Sequence, residues 1–162
     1  MAEQPAELRI PPRGTRGATI PVLLMRLFKP LMNRMVEQYK SSSGPHQFQG
    51  FPTVLLTTVG AKTGMERTHV LGGFADGDDA WLIVASNSGA VTHPAWFINM
   101  AKNPDKVWIQ VDNRRMRASV EELAGAQREA AYARIAAMAP RYGGYLKKTD
   151  REIPVLRLTP AE

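Results

Sequence analysis

A short loop between two predicted strands carries two fixed positive charges. Residues 53–59 are rich in β-branched side chains, which favour a strand, and Gly60 and Gly64 bound the loop that follows. Lys62 is therefore expected at the tip of a hairpin and Arg67 at the start of the returning strand. An ammonium and a guanidinium beside glycine N–H groups can cradle a phosphate or carboxylate. A solvated basic turn is the alternative, and a P-loop is excluded because no Gly-Lys-Ser/Thr opens a helix.

Small polar residues follow a second predicted strand, at residues 80–87, whose side chains indicate burial. The strand ends where side-chain and backbone hydrogen-bonding groups become available together, at Ser86, Asn87, Ser88 and Gly89. This run is the second candidate for ligand contact.

A helix is predicted to begin at about Pro94 and to end at about Lys102, before Asn103-Pro104. Trp96 and Asn99 lie three residues apart and so share one helix face. The alternative is that Trp96 anchors the core and His93 caps the helix.

In order, these segments resemble the deazaflavin-dependent nitroreductase family, actinobacterial reductases that use coenzyme F420. The resemblance covers about residues 50–159 and is carried by LLTTVGAKTGMERT, ADGDDAWLIVASNSG, HPAWFINMAKNP and TDREIPVLRL. It implies a split antiparallel β-barrel, mainly β with peripheral helices (α+β), related to the flavin-binding pyridoxamine-phosphate oxidase fold. It also implies that reduced deazaflavin gives hydride to quinones, nitroaromatics or activated enones.

The resemblance also implies roles for individual residues. Lys62 and Arg67 match positions that bind the coenzyme phosphate and its acidic tail. The loop against the deazaflavin ring and its linker matches Ser86, Asn87, Ser88 and Gly89, and the helix over the same pocket matches Trp96 and Asn99. This chain has Asn87 where many relatives have a basic residue, and Val70 where relatives commonly have proline.

Two tyrosines surround a pair of glycines in the segment Arg141-Tyr-Gly-Gly-Tyr145. The glycines predict a flexible lid, and the resemblance implies that Tyr142 and Tyr145 line the substrate side of the pocket. Either phenol, or solvent, is then expected to supply a proton. The alternative is that both tyrosines cover the mouth of the barrel.

The remaining chain predicts more strands and one long helix. Residues 106–111 and 115–121 alternate across an Asp112-Asn113 turn, residues 124–138 have helical periodicity, and residues 153–158 form a last strand. An antiparallel barrel with peripheral helices accounts for this order better than an alternating α/β sheet.

Composition predicts one compact enzyme domain. The 162 residues are 44% apolar and include no cysteine, which excludes disulfides and thiolate metal sites. His46, His69 and His93 lack the spacing of a metal cluster, so no metal is expected. With no recognisable signal segment, a cytoplasmic location is expected.

Residues 1–45 form a basic arm, and residues 46–162 are assigned to the deazaflavin-binding barrel. Of the net charge of +6, residues 1–40 supply seven basic against three acidic side chains. No nucleic-acid-binding motif accompanies this charge, so nucleic acid is not expected as a partner.

Residues 20–36 mix bulky apolar side chains with cations but are too often interrupted to span a bilayer. A helix here can lie on an anionic membrane, at the inner face of the cell membrane, or pack on the barrel. The arm is expected to be dispensable for holding the coenzyme.

The expected function is hydride transfer from reduced deazaflavin to an electron-poor small molecule: a quinone, nitroaromatic or enone. Two alternatives stay open. One is a non-catalytic carrier of the deazaflavin, and the other is a flavin mononucleotide oxidoreductase on the same fold.

Overall fold

The computed structural model describes residues 7–41, 46–48 and 50–161 of the chain. Eight antiparallel strands and four α-helices alternate irregularly along it. The strands are β1 (Gln47–Phe48), β2 (Phe51–Val59), β3 (Glu66–Gly72), β4 (Phe74–Ala75), β5 (Trp81–Val84), β6 (Val107–Val111), β7 (Arg114–Glu122) and β8 (Val155–Pro160). The helices are α1 (Val22–Ser41), α2 (Ala95–Lys102), α3 (Gly125–Met138) and α4 (Arg141–Lys148), with a 3-10 turn at Asn87–Gly89.

The strands form one curled sheet in the order β1-β2-β6-β7-β8-β5-β4, and β3 pairs with the other edge of β2. Because β4 follows β3 after a single residue, Gly73, the two ends of the sheet meet and the sheet curls into a barrel. At this corner a Cβ on Gly73 would collide with the Val54 side chain, so glycine permits the close approach. The predicted antiparallel barrel with peripheral helices is confirmed.

Alternate residues of β2 divide the interior of the barrel from its outer surface. Val54 and Leu56 face a buried cluster that includes Ile109 and Leu158, and α2 closes this cluster with Trp96, Phe97 and Met100. A second apolar cluster lies where α3 and α4 pack against the sheet and contains Phe74, Leu82, Tyr132, Ile135, Tyr142 and Ile153. The site described below lies at the ends of elements whose positions these two clusters fix.

Helix α1 contacts the barrel only through its last turns. Among its residues, Val36 and Tyr39 are buried and pack on Leu55 and Val70 of the outer sheet surface. The Tyr39 hydroxyl donates to a backbone carbonyl at 3.1 Å, either that of Thr53 or that of Gln110. The first half of α1 is exposed.

Residues 7–18, here called the N-terminal strap, lie against the barrel rather than apart from it. Leu8 is buried in the main cluster, and the backbone N–H of Arg9 donates to Glu122 at 2.8 Å. Further along, Ala18 exchanges backbone hydrogen bonds of 3.1 Å with Gly89 and Val91. The domain division at residue 45 stays a prediction, but this part of the arm is built into the fold.

The predicted elements recur in the structure with small shifts, apart from three regions. The strand predicted over residues 80–87 ends at Val84, because the backbone turns left-handed soon afterwards. The prediction of a flexible lid is wrong, because Tyr142, Gly143, Gly144 and Tyr145 lie within α4. Apolar contacts of Tyr142 outweigh the low helix propensity of the glycines. In the loop predicted at residues 40–45, residues 40 and 41 belong to α1, and residues 42–45 lie outside the described residues.

Candidate functional site

The loop between β2 and β3 forms an exposed hairpin tip. The strands pair up to Val59 and Glu66, and Gly60 then donates to the Met65 carbonyl at 2.8 Å. Gly64 has a φ of +69°. The loop is thus fixed by backbone bonds, as predicted, and its side chains are free to project.

Lys62 and Arg67 are both exposed, and neither forms an ion pair with any residue that the structure describes. Arg67 on β3 pairs with Thr58 on β2, so the side chains of Arg67 and Thr58 lie on the same side of the sheet as the interior residues Val54 and Leu56. Two cations without carboxylate partners form a donor set that suits a phosphate or a polycarboxylate.

Asn99 fastens this hairpin to α2. Its side-chain oxygen accepts from the Ala61 N–H at 3.0 Å, and its nitrogen approaches the Thr58 hydroxyl at 3.4 Å. Asn103 adds a bond of 3.3 Å to the Val59 carbonyl. Because both ends of the buried Asn99 amide are engaged, its geometry favours positioning of the hairpin over direct ligand contact.

The residues from Ser86 to Gly89 form a tight left-handed turn at the start of the connection between β5 and α2. Asn87, Ser88 and Gly89 have φ values of +45°, +54° and +78°. Two of these residues are not glycine, and such backbone strain persists only where the surroundings enforce it. Gly89 donates to the Ser86 carbonyl at 2.9 Å, and the Asn87 side chain donates to the Thr92 carbonyl at 3.1 Å.

Helix α4 lies directly behind this turn. A Cβ on Gly89 would stand 3.0 Å from the Lys148 Cβ and 3.6 Å from the Tyr145 Cα. Tyr145 is half-buried and packs edge-on against Tyr142, with the Lys148 ammonium 5.8 Å from its ring centre. The structure therefore brings Tyr145 beside the turn.

Tyr142 and Trp96 are placed differently. Tyr142 is buried edge-on against Phe51 and Phe74, and its hydroxyl lies over Gly72. Burial raises the pKa of Tyr142 to about 12. Trp96 is buried in the main cluster, so only a small part of its ring remains accessible.

Sequence reasoning missed three residues near these loops. Arg151 is buried behind the Ser86–Gly89 turn, and His93 contacts it rather than capping α2, whose N-cap is Pro94. His69 lies two residues from Arg67 on the same strand face, and its buried Nδ1 has no hydrogen-bond partner in the described part of the chain. Burial and the Arg67 charge lower the pKa of His69. No local signal marked Arg151, because Asp150 and Glu152 flank it in the sequence and it resembles one of several surface charges.

Barrel, hairpin and turn together fit a class of protein: a split barrel suited to hold a flat, anionic ligand. The unpaired cations suit an anionic tail, and the fixed turn presents small residues where a planar ring could lie. A model of the F420H2-dependent quinone reductase family matches residues 31–160, which is most of the chain. The chain belongs to this family, whose cofactor is coenzyme F420.

Individual relatives agree with this assignment. The chain is 38% identical to an F420H2-dependent quinone reductase of Mycobacterium tuberculosis, over 75% of this chain and 84% of the relative. A solved F420H2-dependent reductase, FDR-A, superposes with a TM-score of 0.59 at 33% identity, covering 71% of this chain and 99% of that one. HutZ of Vibrio cholerae, described as a haem storage protein, shares only the fold: its TM-score is 0.51 at 12% identity, over 83% and 91% of the two chains.

Proposed function

We propose that this protein transfers hydride from reduced coenzyme F420 to a quinone, and that nitroaromatics and activated enones are also accepted. The observation that supports this most directly is a pair of loops, one fastened to α2 by Asn99 and the other leading from β5 toward α2. The hairpin offers two exposed cations that form no ion pair within the described part of the chain, and the connection between β5 and α2 offers a left-handed turn. The cofactor supplies the hydride when bound, so the chain itself needs no nucleophile.

In this proposal, Lys62 and Arg67 bind the phosphate and acidic tail of the coenzyme. Ser86, Asn87, Ser88 and Gly89 lie against the ring and its linker, with the accessible edge of Trp96 beside them. Asn99 acts indirectly by holding the hairpin at the distance that the coenzyme needs, since its amide already bonds to Ala61 and approaches Thr58. The residues bind and orient, which lowers the entropic part of the barrier.

Tyr145 is the better placed of the two tyrosines for contact with the electron acceptor. It is half-buried beside the turn, whereas Tyr142 is buried among aromatic side chains. Hydride arriving at a quinone leaves negative charge on oxygen, and a phenol O–H can donate to that oxygen. We therefore assign acceptor contact to Tyr145 and support of Tyr145 to Tyr142.

The function is tested by incubating the full chain with reduced deazaflavin and, in separate assays, menadione, a nitroaromatic or an enone. The reaction is monitored through the absorbance change as the deazaflavin is oxidised. Turnover with menadione supports the proposal. Tight deazaflavin binding without turnover of any acceptor would favour the carrier alternative. Turnover with flavin mononucleotide and NADPH, but not with deazaflavin, would favour the flavin alternative.

We also propose that the first half of α1 rests on an anionic membrane surface, at the inner face of the cell membrane, where lipid quinones reside. Its apolar side chains are exposed over several turns, with exposed fractions of 66% for Val22, 70% for Leu23 and 69% for Leu27. Arg26 and Lys29 lie among them, and Arg34 follows in the next turn. No helix in the described ranges is both long and apolar enough to cross a bilayer. Apolar insertion and attraction of cations to anionic lipid act together in such helices.

Sedimentation with vesicles tests this placement in the full chain. Changing Leu23 and Leu27 together to Ser should reduce binding to anionic vesicles, while Leu146→Ser, an exposed leucine on α4, should not. Equal binding by all three proteins would contradict the proposal. Loss of self-association in the double variant, without vesicle binding by the wild type, would instead identify a second copy of the chain as the occupant.

A further inference from the structure

The Arg151 side chain is only 4% exposed and bonds to the backbone on both sides of the left-handed turn. Its Nη2 donates to the Ser86 carbonyl at 2.7 Å, its Nη1 to the Ala85 carbonyl at 3.1 Å and its Nε to the Ala90 carbonyl at 3.0 Å. One guanidinium thus joins the residue where the turn begins to Ala90, the residue that follows its end.

Arg151 has no carboxylate partner among the residues that the structure describes. The neighbouring acids are engaged elsewhere: Asp150 accepts from the strap residues Thr15 and Arg16, and Glu152 pairs with Arg9 at 2.6 Å. Burying a cation without an anion costs desolvation free energy, so such a residue is not explained by a gain in stability. The burial of Arg151 is therefore explained by the backbone carbonyls that its guanidinium binds, and not by ion pairing.

His93 completes the arrangement. Arg151 Nη1 lies 2.9 Å from His93 Nδ1, and His93 Nε2 lies 2.7 Å from the Pro11 carbonyl of the strap. A guanidinium can only donate and a carbonyl can only accept, so Nδ1 is the acceptor and Nε2 carries the hydrogen. The imidazole is neutral in this arrangement, and it connects the strap to the guanidinium.

The turn requires such support because Asn87 and Ser88 have positive φ values without being glycine. The Ser86 carbonyl accepts both the N–H of Gly89, which closes the turn, and the guanidinium of Arg151. Removing the guanidinium takes away the bond that links the turn to the C-terminal segment. The turn would then be able to relax toward ordinary backbone conformations.

We propose that Arg151 is a positioning residue for cofactor binding: its buried guanidinium, oriented by His93, holds the Ser86–Gly89 turn in the left-handed conformation that the deazaflavin ring meets. This inference rests on the proposed function of the turn. Arg151 touches neither cofactor nor acceptor and acts through the backbone.

The first test is Arg151→Lys, which keeps a positive charge but cannot reproduce the fork of donors. Two quantities are measured on the full chain: amide hydrogen exchange of residues 86–91 without cofactor, and deazaflavin affinity by fluorescence titration. We expect exchange in the turn to rise at least about tenfold, with exchange in β2 and β6 unchanged, and affinity to fall about tenfold. Unchanged exchange in the turn, or faster exchange with unchanged affinity, would overturn the proposal.

A pair of substitutions at His93 keeps the proposal testable if Arg151→Lys does not fold. In His93→Asn the side-chain oxygen can replace Nδ1 as acceptor, whereas His93→Leu has none. The Leu variant should show faster exchange at residues 86–91 and weaker deazaflavin binding, and the Asn variant should remain close to wild type in both. Equal behaviour of the two variants would contradict a role for the His93 contact.

Failure of the proposed function gives a different result. If the wild type does not bind deazaflavin at all, the function assigned to the turn fails, and with it the positioning role of Arg151 toward that cofactor. If the wild type binds deazaflavin but the substitutions change neither exchange at residues 86–91 nor deazaflavin affinity, the proposed function stands and the inference about Arg151 is overturned.

Discussion

The two loops of the candidate site are built in opposite ways. The hairpin is exposed over residues 61–67, and Lys62 and Arg67 project there without ion-pair partners among the described residues. The turn at residues 86–89 is enclosed by Arg151, the strap and α4, and its backbone is left-handed over three residues. Flexible side chains thus supply charge in one loop, and a rigid backbone supplies shape in the other.

This difference indicates how each loop contributes to binding. A long anionic tail can be met by mobile cations, because charge attraction does not require one geometry. A planar ring that must face an acceptor needs fixed positions, since small displacements reduce the rate of transfer. Truncation of the two hairpin cations should therefore lower affinity alone, whereas substitutions in the turn should lower stability, affinity and rate.

The largest expected difference comes from a matched pair of glycines. Gly64 and Gly89 both have positive φ, but a Cβ on Gly64 meets open space, whereas one on Gly89 meets α4 at 3.0 Å. Gly64→Ala should lower the free energy of unfolding by about 1 kcal/mol from strain alone. Gly89→Ala adds overpacking, so its loss should be about 2–4 kcal/mol, measured by urea unfolding. Equal losses would show that the turn is no more constrained than the hairpin.

The hairpin prediction concerns charge. Lys62→Ala and Arg67→Ala should each weaken deazaflavin binding by about 1–3 kcal/mol, the scale of a lost charge-assisted hydrogen bond, with little change in unfolding temperature. Affinity of the wild type should fall as salt rises, because the charges are exposed. Lys29→Ala on α1 removes a cation outside the site and serves as the control. Unchanged titrations in both hairpin variants would remove the basis for an anion site there.

The tyrosines test whether proximity to the turn decides function. Tyr145→Phe should lower kcat for menadione about tenfold, the effect of losing a hydrogen bond of ~1.5 kcal/mol to a developing anion, without changing deazaflavin affinity. Tyr142→Phe should change kcat less, since its hydroxyl lies over Gly72 in an aromatic cluster. A larger effect at Tyr142 than at Tyr145 would contradict the assignment.

The smallest expected effect is a pH dependence of the turn. Burial, followed by the Arg151 charge, lowers the pKa of His93, while the bond to Pro11 and the Glu152 charge oppose this shift. The unfolded chain therefore binds the His93 proton more readily, and stability falls as pH drops below about 6.5 toward the folded pKa. Exchange at residues 86–91 should rise in that range for the wild type but not for His93→Asn. His69 also has a lowered pKa, and comparing the two proteins removes its contribution.

Local patterns predicted most of this fold but not the contacts that fix the site. The β-branched side chains in residues 53–59 and the glycines around Lys62 were sufficient to predict the hairpin, because strand and turn preferences are local. The hydrogen bond between Arg151 and His93 joins residues 58 positions apart, and no local pattern indicates such a bond. The Gly143-Gly144 pair was misleading because packing of Tyr142 overrides glycine's preference for loops.

The most direct test of the central claim compares two ligands: intact coenzyme F420 and a deazaflavin that keeps the ring and ribityl chain but lacks phosphate and tail. Fluorescence titrations are done with the wild type, the Lys62→Ala, Arg67→Ala double variant and Gly89→Ala. We predict that the double variant loses affinity for the intact coenzyme only, and that Gly89→Ala loses affinity for both ligands. If the hairpin variant weakens both ligands equally, or if Gly89→Ala weakens neither, the two loops do not divide tail and ring between them.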